Sequence, residues 1–439
     1  MNPLSPLRAF ENPTAARRCI AVLALVTLAA PTVAAAQTVL DPADERHRGD
    51  ADGRPGDADE GSLSEAEVIR LARDRAPASV VAGATEALAD ARARTAGLHP
   101  NPSLSWEREA IPTGPGEVED VVAASIPIDL IRPRAARSLA GSEGEWMRAE
   151  ASLARTGAVL DAVLAYYDAV LAQARVEVLA QAVADLDEAA RVLARREAAG
   201  SASGYESTRL AIAGELGRSH LAEARGALTR AQARLAGLLG LAPASVRVAP
   251  GLALMPAGAE AALAHSGGAA RAAIRHAQAS QRLAAEAQER ARWSWLPAIE
   301  LGGGVKRAGG DYGYVVGVSV NLPIFDRGQA LRAEAEARVA LSSARADALA
   351  RTIDADLEVA LVSFRAARQE LERFDARTAG QVEALLAAAK SGYREGERSI
   401  VELLDAQRAQ TEVVERRLSL LRTAKRAEAR LRAAAGELQ

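Results

Sequence analysis

Cysteine is nearly absent. The chain has 439 residues and one cysteine, Cys19. Arg17 and Arg18 precede an apolar run from Cys19 to Ala30, and Ala34-Ala35-Ala36 offers a small-residue cleavage site before Gln37. That order predicts a secretory signal peptide over 1–36. The run is too short for a membrane-spanning helix, and Cys19 would leave with the signal. The remaining chain then has no thiol, which excludes disulfides, thiol catalysis and thiolate metal sites. Aromatic residues are only 3% of the sequence, so large globular cores are hard to build. Net charge is also scarce, at −3, and nothing points to a nucleic-acid partner. Five histidines, His47, His99, His220, His265 and His276, form no HExxH motif or close ligand cluster. Gly302-Gly303-Gly304 lacks the strand–loop–helix frame and lysine of a phosphate loop. No catalytic constellation, cofactor or metal site is visible.

What the chain has in abundance is alanine, arginine and helical periodicity. Residues 37–62 read as a polar, flexible leader. Ser64-Glu65-Ala66-Glu67 has capping-box spacing, and the pattern after it predicts one helix to Thr95. From Ala135 to Ala199 the chain is almost unbroken helix former, on the order of 100 Å if continuous. Val159, Val163, Tyr166 and Val170 recur at intervals of three and four, as in coiled-coil packing. Gly200-Ser201-Ala202-Ser203-Gly204 interrupts the run, and a second helix follows to Leu239. Val246 and Val248 lie in a Pro/Gly-marked connector over 243–259 and suggest a short strand. Later helices are expected from Glu260 to Arg292, Gly328 to Arg394, and Ile400 to the C-terminus.

Four stretches alternate with strand period: about 101–111, 119–130, 297–306 and 314–322. In the last, Tyr314, Val316, Val318, Val320 and Leu322 point one way, and Val315, Gly317, Ser319 and Asn321 the other. One set is β-branched and aromatic; the other is mostly small and polar. That is the pattern of a barrel wall with lipid outside and water inside. Glu107, Glu109 and Glu300 fall on the small, polar faces and join Val315, Gly317, Ser319 and Asn321 as candidate pore-lining residues.

The two halves repeat each other. Pro102 corresponds to Pro297, Pro127 to Pro323 and Gly200 to Gly396, at offsets of 195 to 196 residues. A duplicated unit follows, over 63–242 and 260–439: helix, β-hairpin, very long helix, Gly-centred turn, helix. Four strands cannot close a barrel, and lipid tolerates no open sheet edge. If the strands cross a membrane, several chains must share one barrel, and three chains would supply a twelve-stranded one. The fold class expected is mainly α with a β-barrel portion, the trimeric barrel continuing into an α-helical barrel. The different-class alternative is a soluble periplasmic coiled-coil scaffold carrying two hairpins.

The residues also resemble a known family, the TolC-like outer membrane efflux proteins. NPSLSWE at 101–107, SVNLPIFDRGQ at 319–329 and YREGERSIVELLDAQR at 393–408 carry the likeness, which extends from about Leu63 to the end. Within the family, NPSLSWE and SIPIDLIRPRAA look most like the subgroup serving heavy-metal and cation pumps. The resemblance implies a homotrimeric channel in the outer membrane of a Gram-negative bacterium, with a large periplasmic portion. It would work passively with a periplasmic adaptor and a proton-driven inner-membrane pump. Its solutes would be heavy-metal or other cations or, alternatively, drugs and other organic molecules. It further implies that the turn containing Tyr393, Gly396, Glu397, Arg398, Ser399, Leu403 and Asp405 docks the adaptor and closes the resting channel. In the first repeat Gly200 and Ser203 match this turn, but Glu197 stands where Tyr393 would sit. Arg398 is a candidate latch, since charges at a constriction can pair between chains.

Overall fold

Ser64 starts the fold as its spacing requires. Its backbone N–H donates to Glu67 Oε2 (3.0 Å), and the Glu67 N–H donates to Ser64 Oγ (3.3 Å). These two bonds satisfy backbone donors that a helix start leaves free. The resulting helix α1 (Glu65–Arg75) stops earlier than its periodicity predicts. Ala76 is extended, at φ −54° and ψ 139°, and Pro77 opens a separate helix α2 (Pro77–Thr95). Proline has no N–H to donate and pushes the residue before it out of the helical region, so one expected helix becomes two. The computed structural model describes residues 62–438, apart from 97, 99, 111–117, 129–131, 199–202, 267 and 379. The expected signal peptide, most of the leader, the first hairpin's loop and Gly200 lie outside the described residues.

Strands β1 (Ser103–Ala110) and β2 (Val118–Ile128) lead into helix α3 (Arg132–Ala198), which is 67 residues long. Helix α4 (Gly204–Leu239) returns beside it. The connector contains a single parallel bridge, Leu63 to Val248, in place of a short strand. The second repeat follows: α5 (Ala259–Ser266), α6 (Gly268–Arg292), β3 (Ala298–Ala308), β4 (Asp311–Asn321), α7 (Gln329–Thr378), α8 (Gln381–Glu395) and α9 (Ile400–Ala435). The long helix expected after Gly328 is divided at Gly380, whose φ of 76° no L-residue adopts readily. The helix–hairpin–long helix–helix unit is therefore present twice. Among the described residues no helix is long and apolar enough to cross a membrane.

The strands form one antiparallel sheet in the order β1-β2-β3-β4. The upper part of α3 packs between α2 and α6, with α7 next to α6; its lower part packs between α4 and α9. This places one strand or helix beside the next in a single layer, with open edges at both sides. Apolar side chains are exposed on the helices at those edges, among them Val80 and Val81 of α2, Ile212 of α4, and Val359 and Val362 of α7.

The main core lies where α1 and the end of α9 meet the middle of α3 and the connector. Val68 of α1, Val163 and Tyr167 of α3, Leu235 and Leu239 of α4, Val246 and Val248 of the connector, and Leu438 are buried together. Lys425 of α9 is buried beside them. Its Nζ donates to Glu428 Oε1 (2.7 Å) and to the Ala253 carbonyl (3.0 Å), and it sits 4.6 Å from the Tyr167 ring centroid. The other Glu428 oxygen accepts the Met255 N–H (3.1 Å), and Arg432 pairs with Glu65. Buried charges are tolerated when each finds such partners. This network joins the first helix, the connector and the last helix.

Gly304 is fixed by close packing. A β-carbon there would collide with the Val122 carbonyl and the Ala123 backbone, whereas one at Gly313 would meet nothing within 4 Å. Gly304→Ala is expected to lower stability by about 1–3 kcal/mol, read as an earlier thermal transition by circular dichroism. Gly313→Ala serves as the control and is expected to leave the transition in place.

Candidate functional site

Register decides which strand residues share a face. Residues paired directly across an antiparallel sheet lie on the same side, and neighbours along a strand lie on opposite sides. Glu107 pairs with Val121, which pairs with Lys306, which pairs with Gly313. Glu109, Glu119, Ala308 and Asp311 form the next row. At the end nearer the helices, Glu300 pairs with Pro127 and Ser319, and Val315 and Gly317 pair with Gly304 and Gly302. Glu107, Glu109, Glu300, Val315, Gly317, Ser319 and Asn321 are thus brought onto one face. That face carries five carboxylates, Glu107, Glu109, Glu119, Glu300 and Asp311, against the single ammonium of Lys306. Lys306 pairs with Glu119. Ser103 and Ser125 hydroxyls meet here as well, at 2.7 Å.

The opposite face is apolar up to its last row. From the helix end its apolar rows are Ile128–Ile299–Val320, Ile126–Leu301–Val318, Leu104–Ala124–Gly303–Val316 and Trp106–Val122–Val305–Tyr314, and beyond them comes the charged row Arg108–Asp120–Arg307–Tyr312. These side chains are exposed, Tyr314 at 92% and Val316 at 85%. Over 121–128 and 301–308 the exposed positions are those of this second face, and the acidic-face positions between them are half-buried.

The second group of candidates is at the far end of the helices. Helix α8 ends in Gly396, left-handed at φ 86°. The Glu397 N–H (2.8 Å) and Arg398 N–H (3.0 Å) both donate to the Gly392 carbonyl. A glycine in this conformation reverses the chain without steric penalty. Ser399 then caps α9: its N–H donates to Glu402 Oε2 (2.8 Å), and the Glu402 N–H donates back to Ser399 Oγ (3.4 Å). The Ser399 N–H, followed by its hydroxyl, holds the Glu402 carboxyl below the usual carboxylate range. In the first repeat, the Ser203 N–H donates to Glu206 Oε2 (3.2 Å) at the start of α4. The capping arrangement is therefore common to both turns. Leu403 is buried against Tyr393, Leu186, Val192, Leu193 and Leu386. Glu397, Arg398 and Asp405 are exposed, and Asp405 lies 3.8 Å from Arg408. The Arg398 stem runs over Gly392, where a β-carbon would come within 2.8 Å of it.

Tyr393 is buried, and its hydroxyl has no hydrogen-bond partner among the described residues. Burial pushes its phenol pKa up. What holds this residue is Arg196 of the first repeat. Arg196 Nη2 donates to the Tyr393 carbonyl (2.5 Å), and its guanidinium lies 4.9 Å from the Tyr393 ring centroid. Lys390 pairs with Asp185 (2.6 Å) one turn away. Arg196 was not among the sequence candidates. A signal was present: the 196-residue offset puts Arg196 opposite Gly392. One repeat has a long cation where the other has no side chain, and that cation reaches the other turn beside Gly396, where a β-carbon would come within 3.1 Å of Arg196 Nη2.

The comparisons accord with this architecture. Residues 265–437 match the family described as Outer membrane efflux protein. No curated protein sequence matches the chain. Among solved structures, the Campylobacter jejuni CmeC outer membrane channel has a TM-score of 0.70 at 16% identity, over 90% of this chain and 94% of that one. The open state of the Neisseria gonorrhoeae MtrE outer membrane channel has a TM-score of 0.67 at 17% identity, over 85% and 88%. CusC, described through its folding and transmembrane channel formation, has a TM-score of 0.67 at 19% identity, over 85% and 92%. At these identities the likeness is one of fold. It does not single out the heavy-metal subgroup that the sequence motifs most resemble.

Two substitutions separate what the ring and the cation do at the turn. Tyr393→Phe removes an unpartnered buried hydroxyl and is expected to leave thermal stability unchanged or slightly higher. Arg196→Ala leaves the Tyr393 carbonyl with the Gly396 N–H alone (3.3 Å), removes the cation from the Tyr393 ring, and is expected to lower stability by about 1–3 kcal/mol. Hydrogen exchange of the α8–α9 turn checks both, with faster exchange expected only in Arg196→Ala.

Proposed function

We propose, from the premise that residues 265–437 belong to the outer membrane efflux protein family and that the described chain shares the fold of outer membrane channels, that three copies form a passive efflux conduit. The observation that carries this reading is the two-faced sheet with open edges. Its apolar face suits lipid and its acidic face suits water. An open edge in hydrocarbon would leave backbone groups unpaired, so β4 of one copy must meet β1 of the next. Three four-stranded sheets make a twelve-stranded barrel. The apolar edges of α2, α4 and α7 are covered by the same closure, and the helices continue as a periplasmic tunnel.

Aromatic residues support the placement in the bilayer. Trp295 precedes β3 and Phe325 follows β4, both exposed at the helix end of the sheet. Trp106 and Tyr314 share a row near the other end. Strand β3 climbs seven residues from Ala298 to Val305 in that row, roughly 17 Å of height at ordinary barrel tilt, and Trp295 lies beyond its start in the preceding turn. The two aromatic levels bracket the apolar rows, as girdles do.

The reading assigns conduction and no catalysis. The chain sits in the outer membrane, and energy comes from an inner-membrane pump through a periplasmic adaptor. The broad solute class is drugs and other organic molecules. A second reading, export of heavy-metal or other cations, is favoured by one observation, the carboxylate excess on the pore face. Fixed negative charge in a narrow aqueous path concentrates cations. The turn with Ser203, Tyr393, Gly396, Glu397, Arg398, Ser399, Leu403 and Asp405 is the proposed docking and gating point, with Gly200 included by resemblance. There, Arg398 is an exposed cation able to pair with a neighbouring copy.

A deletion strain tested against dyes, detergents and drugs, and against zinc, cobalt, cadmium, nickel, copper and silver, separates the solute classes. Sensitivity to organic compounds alone supports the first reading, and sensitivity to metals alone supports the second. Absence of heat-modifiable trimers from the outer membrane fraction would favour the soluble scaffold and remove both. For the gate, Arg398→Ala is expected to raise resting conductance in planar bilayers. Unchanged resting conductance would sink the latch.

A further inference from the structure

One row of the sheet has no part in conduction. On the apolar face, one step beyond the Trp106–Tyr314 row and away from the helices, register sets Arg108, Asp120, Arg307 and Tyr312 side by side across all four strands. The charges alternate: cation, anion, cation, then an aromatic ring. Arg108 donates to both Asp120 oxygens, Nε to Oδ1 at 2.7 Å and Nη2 to Oδ2 at 2.9 Å. Its guanidinium lies 5.6 Å from the Trp106 ring centroid, and the Trp106 indole donates to Asp120 at 3.3 Å. The Arg307 guanidinium lies 5.9 Å from the Tyr312 ring centroid. Two arginines thus flank one carboxylate, their backbones about 10 Å apart across two strand spacings, and the row is net positive.

Position makes this charge informative. A side chain on the lipid face just past an aromatic girdle lies at headgroup level. All other sheet charge is on the opposite face, where carboxylates dominate. The sheet therefore turns cations toward lipid and anions toward the pore, at about the same height. Guanidinium forks match phosphate oxygens in geometry and charge. The aromatic rings beside them offer flat surfaces against which sugar rings can pack. A lipid headgroup that combines phosphate with sugar fits both features.

On the channel reading above, on which this inference rests, the hairpin ends of the sheet lie in the outer leaflet. We propose that the Arg108–Asp120–Arg307 row binds a phosphate of the outer leaflet's phosphorylated glycolipid, one site per subunit. Arg307 supplies the second cation, Asp120 fixes Arg108 in place, and Trp106 and Tyr312 border the sugar.

The test uses purified full-length trimers in detergent micelles carrying one added lipid at a time: bisphosphorylated lipid A, its dephosphorylated form, or phosphatidylglycerol. Native mass spectrometry counts the lipids retained. Bisphosphorylated lipid A is expected to be retained at up to one per subunit, the other two far less. Arg307→Gln is expected to weaken that retention about tenfold. Lys306→Gln removes the same charge from the opposite face and is expected to leave it unchanged. Equal retention of the dephosphorylated lipid or of phosphatidylglycerol would overturn the proposal, as would equal losses in the two variants. Either result leaves the trimeric channel standing, whereas failure to obtain trimers overturns the channel and this site together.

Discussion

The edges of the sheet set the terms for everything else. β1 and β4 each have one side with no strand beside it. In water such an edge is an aggregation hazard; in lipid it is untenable, because nothing there can pair with the backbone. The helices repeat the problem in another form, since a single layer leaves apolar side chains at both of its edges. One closure by identical copies resolves both. The duplicated unit suits it, because each half contributes the same hairpin and helix pair to a ring.

Within this frame, side-chain period does most of the chemical sorting. A strand has only two faces, so a change of parity exchanges lipid for water. The register holds Glu107, Glu109, Glu119, Glu300 and Asp311 together, and puts Trp106, Val122, Val305 and Tyr314 behind them. Gly304 is on the acidic side, at a point where a β-carbon would meet the Val122 carbonyl and the Ala123 backbone, whereas Gly313 and Gly317 on the same side stand open. At the other end of the molecule, glycine serves differently. Gly380 and Gly396 divide and reverse helices through left-handed backbone, while Gly392 makes room for the Arg398 stem.

Much of this could be read from the chain before any coordinates. Strand alternation, the offset of 195 to 196 residues and the capping box at Ser64 are local patterns, and local patterns survive in a sequence. The departures are local too. Pro77 lies inside a helical periodicity that continues on both sides of it, and Gly380 inside another. In each, the repeating apolar pattern outweighed a single backbone constraint that ends a helix regardless of its neighbours. The Val246–Val248 segment has the composition of a strand, but only one bridge forms, because its valines are used as core under α1.

By itself, the sequence determined the duplicated unit, the two faces of each strand and the turns that reverse the helices. Each depends on residues within a few positions of one another, or on a repeat that can be counted. Tertiary structure alone decided which distant residues meet. Arg196 reaches Tyr393 across 197 positions. Lys425 finds the Ala253 carbonyl across 172. Arg108, Asp120 and Arg307 line up only when three strands are in register. Such contacts leave no periodic trace, because they follow from how helices and strands pack and not from the order in which residues occur.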